Sequence, residues 1–172
     1  IKNFANHGFV NITISLNYKG EMIKDYFGDG SNFGVNIDYV EENMRLGTAG
    51  ALSLIENKPN EAFFVMNADL LTDVNFSHLL DFHSFSNSDA TMCVREYEYQ
   101  VPYGVIEVEE SNVTSIVEKP IQKFFVNAGI YVLSPKVFDY IPKNEFYDMP
   151  TLFNTFIEKE KRVISFPIHE YW

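Results

Sequence analysis

The segment FFVMNADLLTDV, residues 63–74, places an apolar run directly before an asparagine and an aspartate. Residues 63–66 are all apolar, which is typical of a strand that is buried on both faces, as strands of a parallel sheet are. Asp69 stands where this strand would end. Open sheets of parallel strands bind ligands beyond the carboxyl ends of their strands. The segment therefore predicts a central strand that carries a carboxylate to the rim of a sheet.

Strand-like and helix-like patterns alternate on both sides of this segment. The predicted strands cover residues 8–17, 35–42, 61–68 and 89–97. Helical patterns occur in residues 19–34 (ended by Gly28), 46–58 and 75–86. Such alternation predicts an α/β fold with a parallel sheet and right-handed crossovers.

The pattern changes after residue 97, where strands begin to follow one another. The predicted elements are a hairpin at 103–120, a long strand at 124–134, helices at 135–141 and 149–161, and a last strand at 162–169. We find no internal repeat, low-complexity segment or linker. Residues 1–172 are therefore predicted to form a single domain.

The composition indicates a folded protein that does not bind nucleic acid. Of the 172 residues, 46% are hydrophobic and the net charge is −11. A phosphate backbone needs clustered Lys and Arg, whereas the 13 basic residues are scattered. No apolar run has the roughly 18 residues of a membrane span, and the single cysteine, Cys93, cannot form an internal disulfide. We therefore expect a cytoplasmic protein with neither nucleic acid nor a membrane as a partner.

Two segments offer chemistry near the predicted rim. A carboxylate such as Asp69, held at the end of a rigid strand, suits Mg²⁺, but a turn aspartate is also common after a strand. In RLGTAGAL, residues 45–52, Gly47 and Gly50 flank Thr48 and Ala49 before a helical pattern. The N–H groups of such a turn can face an anion or a base edge. Alternatively, Thr48 caps an ordinary helix.

Adjacent opposite charges end a strand in VEKP, residues 117–120. Because side chains alternate between the two faces of a strand, Glu118 and Lys119 need not pair with each other. Glu118 could accept hydrogen bonds from hydroxyl groups while Lys119 neutralises a phosphate. The alternative is the solvated edge of a hairpin. Gly104, in YGV, is a further glycine at the entry to a strand.

Asn127 interrupts the apolar strand FVNAGIYVL, residues 125–133. A buried amide destabilises the protein unless it is hydrogen-bonded, so Asn127 needs a partner in the protein or in a ligand. Gly129 would allow another group to approach the backbone closely.

Several short motifs, taken in order, resemble those of the sugar-1-phosphate nucleotidyltransferases, in particular the guanylyltransferase members. The motifs are FGDGSNFGVNIDYVEE, LGTAGAL, FFVMNADLL, YGV, VEKP and VNAGIYVL, and they extend over nearly the whole chain. The resemblance implies the nucleotide-diphospho-sugar transferase fold, a Rossmann-like three-layer sandwich with a mostly parallel sheet.

The same resemblance implies a reaction and a set of site residues. Family members transfer a nucleotidyl group from a nucleoside triphosphate, with GTP favoured here, to a sugar 1-phosphate, and they release pyrophosphate. The matching motifs imply that Asp69 binds Mg²⁺ and that Asp69 and Lys119 are catalytic. By the same motifs, the nucleotide lies against Leu46, Gly47, Thr48 and Gly50. The sugar phosphate is implied to contact Gly104, Glu118, Lys119 and Asn127.

Two parts of the family pattern do not occur in this sequence. One is the opening strand with the Gly-rich loop that wraps the triphosphate. The other is a second metal carboxylate that follows the Tyr-Trp pair, here Tyr171–Trp172. We therefore expect little or no transferase activity from this segment alone. We also expect an exposed sheet edge, with a homodimer or marginal stability as the consequence.

Two other functions fit parts of the pattern. A non-catalytic domain that binds sugar nucleotides, or regulates an enzyme, would not need the triphosphate loop. A nucleotide-sugar-dependent glycosyltransferase would have a related fold. Such enzymes bind metal through two carboxylates spaced by one residue, and Asn67 occupies the position of the first.

Overall fold

The computed structural model describes residues 1–172 and contains eight strands and five α-helices. The strands are β1 Asn11–Leu16, β2 Asn36–Glu41, β3 Phe63–Met66, β4 Ala90–Gln100, β5 Gly104–Glu109, β6 Asn112–Glu118, β7 Ile121–Leu133 and β8 Val163–Pro167. The α-helices are α1 Lys2–Asn6, α2 Gly20–Phe27, α3 Gly47–Gly50, α4 Phe76–Phe85 and α5 Met149–Glu158. Short 3-10 helices occupy Ser31–Phe33, Ala51–Leu54 and Pro135–Asp139. None of the helices combines the length and apolar character needed to cross a membrane.

The strands form three groups, and the largest is a mixed sheet. Its order is β3-β7-β4-β8. β8 runs parallel to β4, whereas β7 lies antiparallel between β3 and β4. β4 leads into the hairpin of β5 and β6, which returns the chain as β7 beside β4, so β7 must run in the opposite direction. β1 and β2 form a separate parallel pair. The predicted α/β class is confirmed, with one antiparallel strand inserted.

The prediction that β3 is a central strand is wrong in this structure. β3 is the edge strand of the four-stranded sheet, and its four residues are half-buried. Its pairing is antiparallel, with Phe63 opposite Leu133 and Met66 opposite Ile130. The β1–β2 pair does not extend this sheet, so the other edge of β3 has no strand beside it.

Two apolar clusters cover the two faces of the sheet. Alternate residues of β7 divide between them, since side chains on a strand point to opposite faces. Tyr131 and Leu133 pack in the cluster that contains α5, and Ile130 and Val132 pack in the cluster that contains α4. This is the three-layer arrangement that the family resemblance implied. Cys93 is fully buried in the second cluster, where burial raises its pKa to about 12.

Two predicted helices are shorter than their patterns suggested. The pattern at 46–58 yields only the four-residue α3 and a 3-10 turn, and the pattern at 135–141 yields a 3-10 helix. In α3 the N–H groups of Ala49 and Gly50 donate to the Tyr147 carbonyl. These N–H groups are therefore used in contacts with a distant part of the chain and do not extend the helix. Glycine also has a lower helix propensity than every residue except proline.

His83 contributes a pH dependence to the stability of the α4 side of the sheet. Its side chain is buried, and Nδ1 lies 2.8 Å from Thr91 Oγ1. Burial lowers the pKa of His83, and the nearby charge of Asp89 opposes this shift only in part. The unfolded chain, with an ordinary histidine pKa of about 6.5, therefore takes up a proton that the folded chain resists. We expect this contribution to be present above that pH and to be lost as the pH falls below it.

Urea unfolding of the wild type and of His83→Gln between pH 7.5 and pH 5.5 measures this contribution. The free energy of unfolding of the wild type should fall more steeply with acidification than that of the variant. His169→Gln, which alters an exposed histidine, should keep the wild-type slope. Parallel slopes for the wild type and His83→Gln would contradict the expectation.

Candidate functional site

Asp69 lies in the turn that follows β3, and its side chain is exposed. It makes no hydrogen bond or ion pair with another residue of the chain. The last β3–β7 hydrogen bond joins the Asn67 N–H to the Gly129 carbonyl, 2.9 Å away. Asp69 follows two residues later, so it stands at the rim where the sequence predicted it. Its carboxylate oxygens are available to a ligand.

A bulge in β7 forms the other half of this rim. Met92 pairs with Tyr131 and Val94 with Asn127, so β4 advances two residues where β7 advances four. Gly129 lies in the bulge with φ +73°, a conformation that favours glycine. A Cβ atom at this position would be 2.8 Å from Asn67 Nδ2. The predicted close approach to Gly129 is confirmed, and the group that approaches is the side chain of Asn67.

The bulge also gives Asn127 its hydrogen-bond partners. Asn127 Nδ2 donates to the Tyr131 hydroxyl at 2.7 Å, and Oδ1 accepts from the Gly129 N–H at 2.9 Å. The partner that the sequence required is therefore found within the protein. Burial raises the pKa of Tyr131, so its hydroxyl stays protonated. The Asn127 amide is held in one orientation, at the same end of the sheet as Asp69.

The segment after β8 crosses this rim. The indole Nε1 of Trp172 donates to the Ala128 carbonyl at 2.6 Å, and the Asp73 N–H donates to the Tyr171 carbonyl at 3.3 Å. Arg95 Nη1 donates to the Glu170 carbonyl at 2.6 Å. The sequence did not single out Arg95 or Tyr131. A charged residue within the apolar run ATMCVREY was the available signal for Arg95.

The Gly-rich segment docks against the start of α5. Asp148 is the N-cap residue of α5, and its Oδ1 accepts from the Thr48 N–H at 3.0 Å. In return, Thr48 Oγ1 accepts from the Met149 N–H at 2.8 Å. Leu46 is buried. With the bonds of Ala49 and Gly50 to Tyr147, the protein itself occupies three consecutive N–H groups, so this segment has fewer free donors than the sequence suggested.

Gly104, Glu118 and Lys119 form a second group on the hairpin. Gly104 pairs with Glu118, and a Cβ atom on Gly104 would be 2.9 Å from Glu118 Oε2. Lys119 has φ +47°, and its N–H donates to the Tyr103 carbonyl. Both charged side chains are exposed.

The β4–β7 ladder separates this group from the rim. Between Val94–Asn127 and Gln100–Ile121 the ladder is six residues long, about 20 Å at the usual rise of a strand. The structure therefore brings Asp69 and Asn127 to one end of the sheet and places Gly104, Glu118 and Lys119 together on the hairpin.

A divalent cation fits Asp69 only if other ligands complete its coordination. The chain has no group of three or more His, Cys, Asp or Glu side chains that could hold a metal. Mg²⁺ usually keeps several waters and binds through one or two carboxylates together with substrate phosphates. An exposed carboxylate without a protein partner is suited to that shared mode and not to a site made by the protein alone.

Comparisons with known proteins agree with the fold. The family described as nucleotidyl transferase matches residues 1–172. The mannose-1-phosphate guanyltransferase of Yarrowia lipolytica is 35% identical over 188 aligned residues, which cover 100% of this chain and 49% of that protein. The corresponding protein of Saccharomyces cerevisiae is 34% identical over 183 residues and is covered to 50%. The chain thus spans about half the length of these relatives.

A solved structure has the same architecture. HddC from Yersinia pseudotuberculosis superposes with a TM-score of 0.70 at 25% sequence identity, and the match covers 99% of this chain and 75% of that one. The family match extends over all 172 residues. The chain belongs to the nucleotidyl transferase family.

Proposed function

We propose that this chain takes part in the transfer of a nucleotidyl group from GTP to a sugar 1-phosphate, with mannose 1-phosphate as the first substrate to test. The observation that carries the proposal is the unpaired carboxylate of Asp69 beside the Asn127 bulge, in a chain whose relatives are mannose-1-phosphate guanyltransferases. In this reaction an oxygen of the sugar phosphate forms a bond to the α-phosphorus of GTP. The bond from the α-phosphorus to the β-phosphate oxygen breaks, and pyrophosphate leaves.

The residues of the chain would serve mainly to position the substrates, because phosphoryl transfer needs little covalent chemistry from the protein. Asp69 would hold Mg²⁺ together with the phosphates, and the bound ion would neutralise charge on the reacting oxygens. Asn127 would contact the sugar. Leu46, Gly47, Thr48 and Gly50 would lie on the side of the nucleobase.

Glu118 and Lys119 would contact the sugar and its phosphate only when one bound ligand touches both the hairpin and the rim. Gly104 leaves room for the Glu118 carboxylate on the hairpin, since a Cβ atom there would be 2.9 Å from Oε2. Lys119 would add a cation to a chain with a net charge of −11.

Isothermal titration calorimetry tests this proposal directly. GTP, UTP and dTTP are titrated into the protein with and without Mg²⁺, and mannose 1-phosphate is titrated separately. We expect GTP to bind more tightly than the other two nucleotides and to bind more tightly with Mg²⁺. A protein that binds no nucleoside triphosphate and no sugar phosphate would refute the proposal.

A second candidate is a domain that binds a sugar nucleotide without catalysis. The six ladder residues between the hairpin, which carries Lys119, and the rim, which carries Asp69, favour it, because a transferase needs both groups at one set of phosphates. Such a domain would bind GDP-mannose but would release no pyrophosphate from GTP and mannose 1-phosphate. Pyrophosphate release at a rate well above a no-protein control would exclude it.

A further inference from the structure

Arg95 occupies an unusual position on β4. Its side chain is half-buried, and it makes two contacts with the segment that follows β8. Nη1 donates to the Glu170 carbonyl at 2.6 Å, and the guanidinium carbon lies 6.0 Å from the ring centroid of Trp172. A planar guanidinium can donate a hydrogen bond and face an aromatic ring at the same time, which an ammonium group does less well. Arg95 thus fixes residues 170–172 across the rim.

Trp172 transmits this contact to the bulge of β7. Its indole Nε1 donates to the carbonyl of Ala128, and Ala128 is 1% exposed. Ala128 lies in the stretch that the β4 pairing skips, between Asn127 and Tyr131. A buried carbonyl needs a donor, and loss of a donor costs more than an average hydrogen bond contributes. The indole therefore helps to hold the bulge in its observed shape.

The shape of the bulge sets the orientation of Asn127. Its amide oxygen is bonded to Gly129, within the bulge, and its amide nitrogen is bonded to Tyr131, just beyond it. In a regular strand, residues 127 and 131 would be about 13 Å apart. The two side chains meet only because the bulge shortens the path between them. A change in the bulge must therefore turn the Asn127 amide.

We propose that Arg95 is a positioning residue for the site: it holds Trp172 against the Ala128 carbonyl and thereby keeps the Asn127 amide in the orientation set by its bonds to Gly129 and Tyr131. The consequence for sugar phosphate binding rests on the proposed function. The consequences for Trp172 and Asn127 do not, because they follow from contacts within the chain.

The sequence offers a convenient probe, since Trp172 is its only tryptophan. The test uses two variants. Arg95→Met replaces the guanidinium with an uncharged, apolar side chain of similar length, and Arg95→Lys retains the positive charge. The matched control is Arg162→Met, which alters an exposed arginine just before β8, at the opposite end of the sheet. Tryptophan emission, acrylamide quenching and the side-chain amide resonances of Asn127 are measured for all four proteins.

In Arg95→Met we expect a red shift of the Trp172 emission, stronger quenching by acrylamide and displaced Asn127 resonances. Arg95→Lys should restore part of each effect, and Arg162→Met should match the wild type. Calorimetry with mannose 1-phosphate should give a dissociation constant about tenfold higher in Arg95→Met, the loss expected for one well-placed hydrogen bond. Circular dichroism with the same midpoint of urea unfolding establishes that the variants are folded.

Wild-type emission and wild-type Asn127 resonances in Arg95→Met would overturn the positioning role. So would equal affinity of the wild type and Arg95→Met for mannose 1-phosphate. A wild-type protein that does not bind mannose 1-phosphate would count against the proposed function alone, because the fluorescence and resonance measurements would still decide the role of Arg95.

Discussion

Asp69→Asn should abolish the increase in GTP affinity that Mg²⁺ produces, a loss of about 100-fold, or roughly 3 kcal/mol. The change keeps the shape of the side chain and removes its charge. Mg²⁺ prefers charged oxygen ligands, and no cluster of three or more acidic, histidine or cysteine side chains is present to replace Asp69. GTP affinity measured by calorimetry, with and without Mg²⁺, gives the difference for each protein.

Asp73→Asn provides a matched control for this experiment. Asp73 lies in the same loop, is exposed, and uses only its backbone N–H in the contact with Tyr171. Its substitution removes the same charge near the rim and should leave the Mg²⁺ increment intact. If both variants lose the increment equally, general charge and not coordination explains it. If Asp69→Asn keeps the full increment, the ion is held elsewhere.

Local sequence patterns predicted the helices and strands but not which strands lie next to each other in the sheet. α4 begins at the expected place because the Asn75 side chain accepts from the His78 N–H, an N-cap that is visible in the sequence. The apolar run of β3 correctly predicted a strand shortly before Asp69, and the strand ends at Met66. It could not predict that the antiparallel β7 would be the partner, because pairing between residues 66 and 130 depends on the hairpin that lies between them.

The contacts of single residues in the site were likewise not predictable from local sequence. The sequence required a partner for Asn127, but in a regular strand Tyr131 would be out of reach. Only the two additional residues of the bulge bring them together, and a bulge is a property of two paired strands. The glycine at position 129 was the feature of the sequence that indicated the bulge. Arg95 gave a weaker sign, since its partners Glu170 and Trp172 lie about 75 residues away in sequence.

Gly47→Ala should reduce the free energy of unfolding by about 3 kcal/mol, which combines the cost of a left-handed non-glycine residue with that of overpacking. Gly47 has φ +80°. A Cβ atom there would lie 2.7 Å from Asp148 Oδ1 and 2.8 Å from the Tyr147 carbonyl oxygen. The Asp148 side chain can rotate away, but the Tyr147 carbonyl belongs to the backbone that also binds Ala49 and Gly50. The clash therefore loosens the docking of the Gly-rich segment on α5.

Gly34→Ala separates the two causes. Gly34 has a similar φ of +72°, and a Cβ atom there would meet no atom within 4 Å. This variant should lose only the conformational part, about 1 kcal/mol. Urea unfolding of both variants gives the comparison, and the excess loss in Gly47→Ala is the steric part. Equal losses would mean that the segment relaxes away from residues 147–148. The glycine would then be required by its backbone conformation alone.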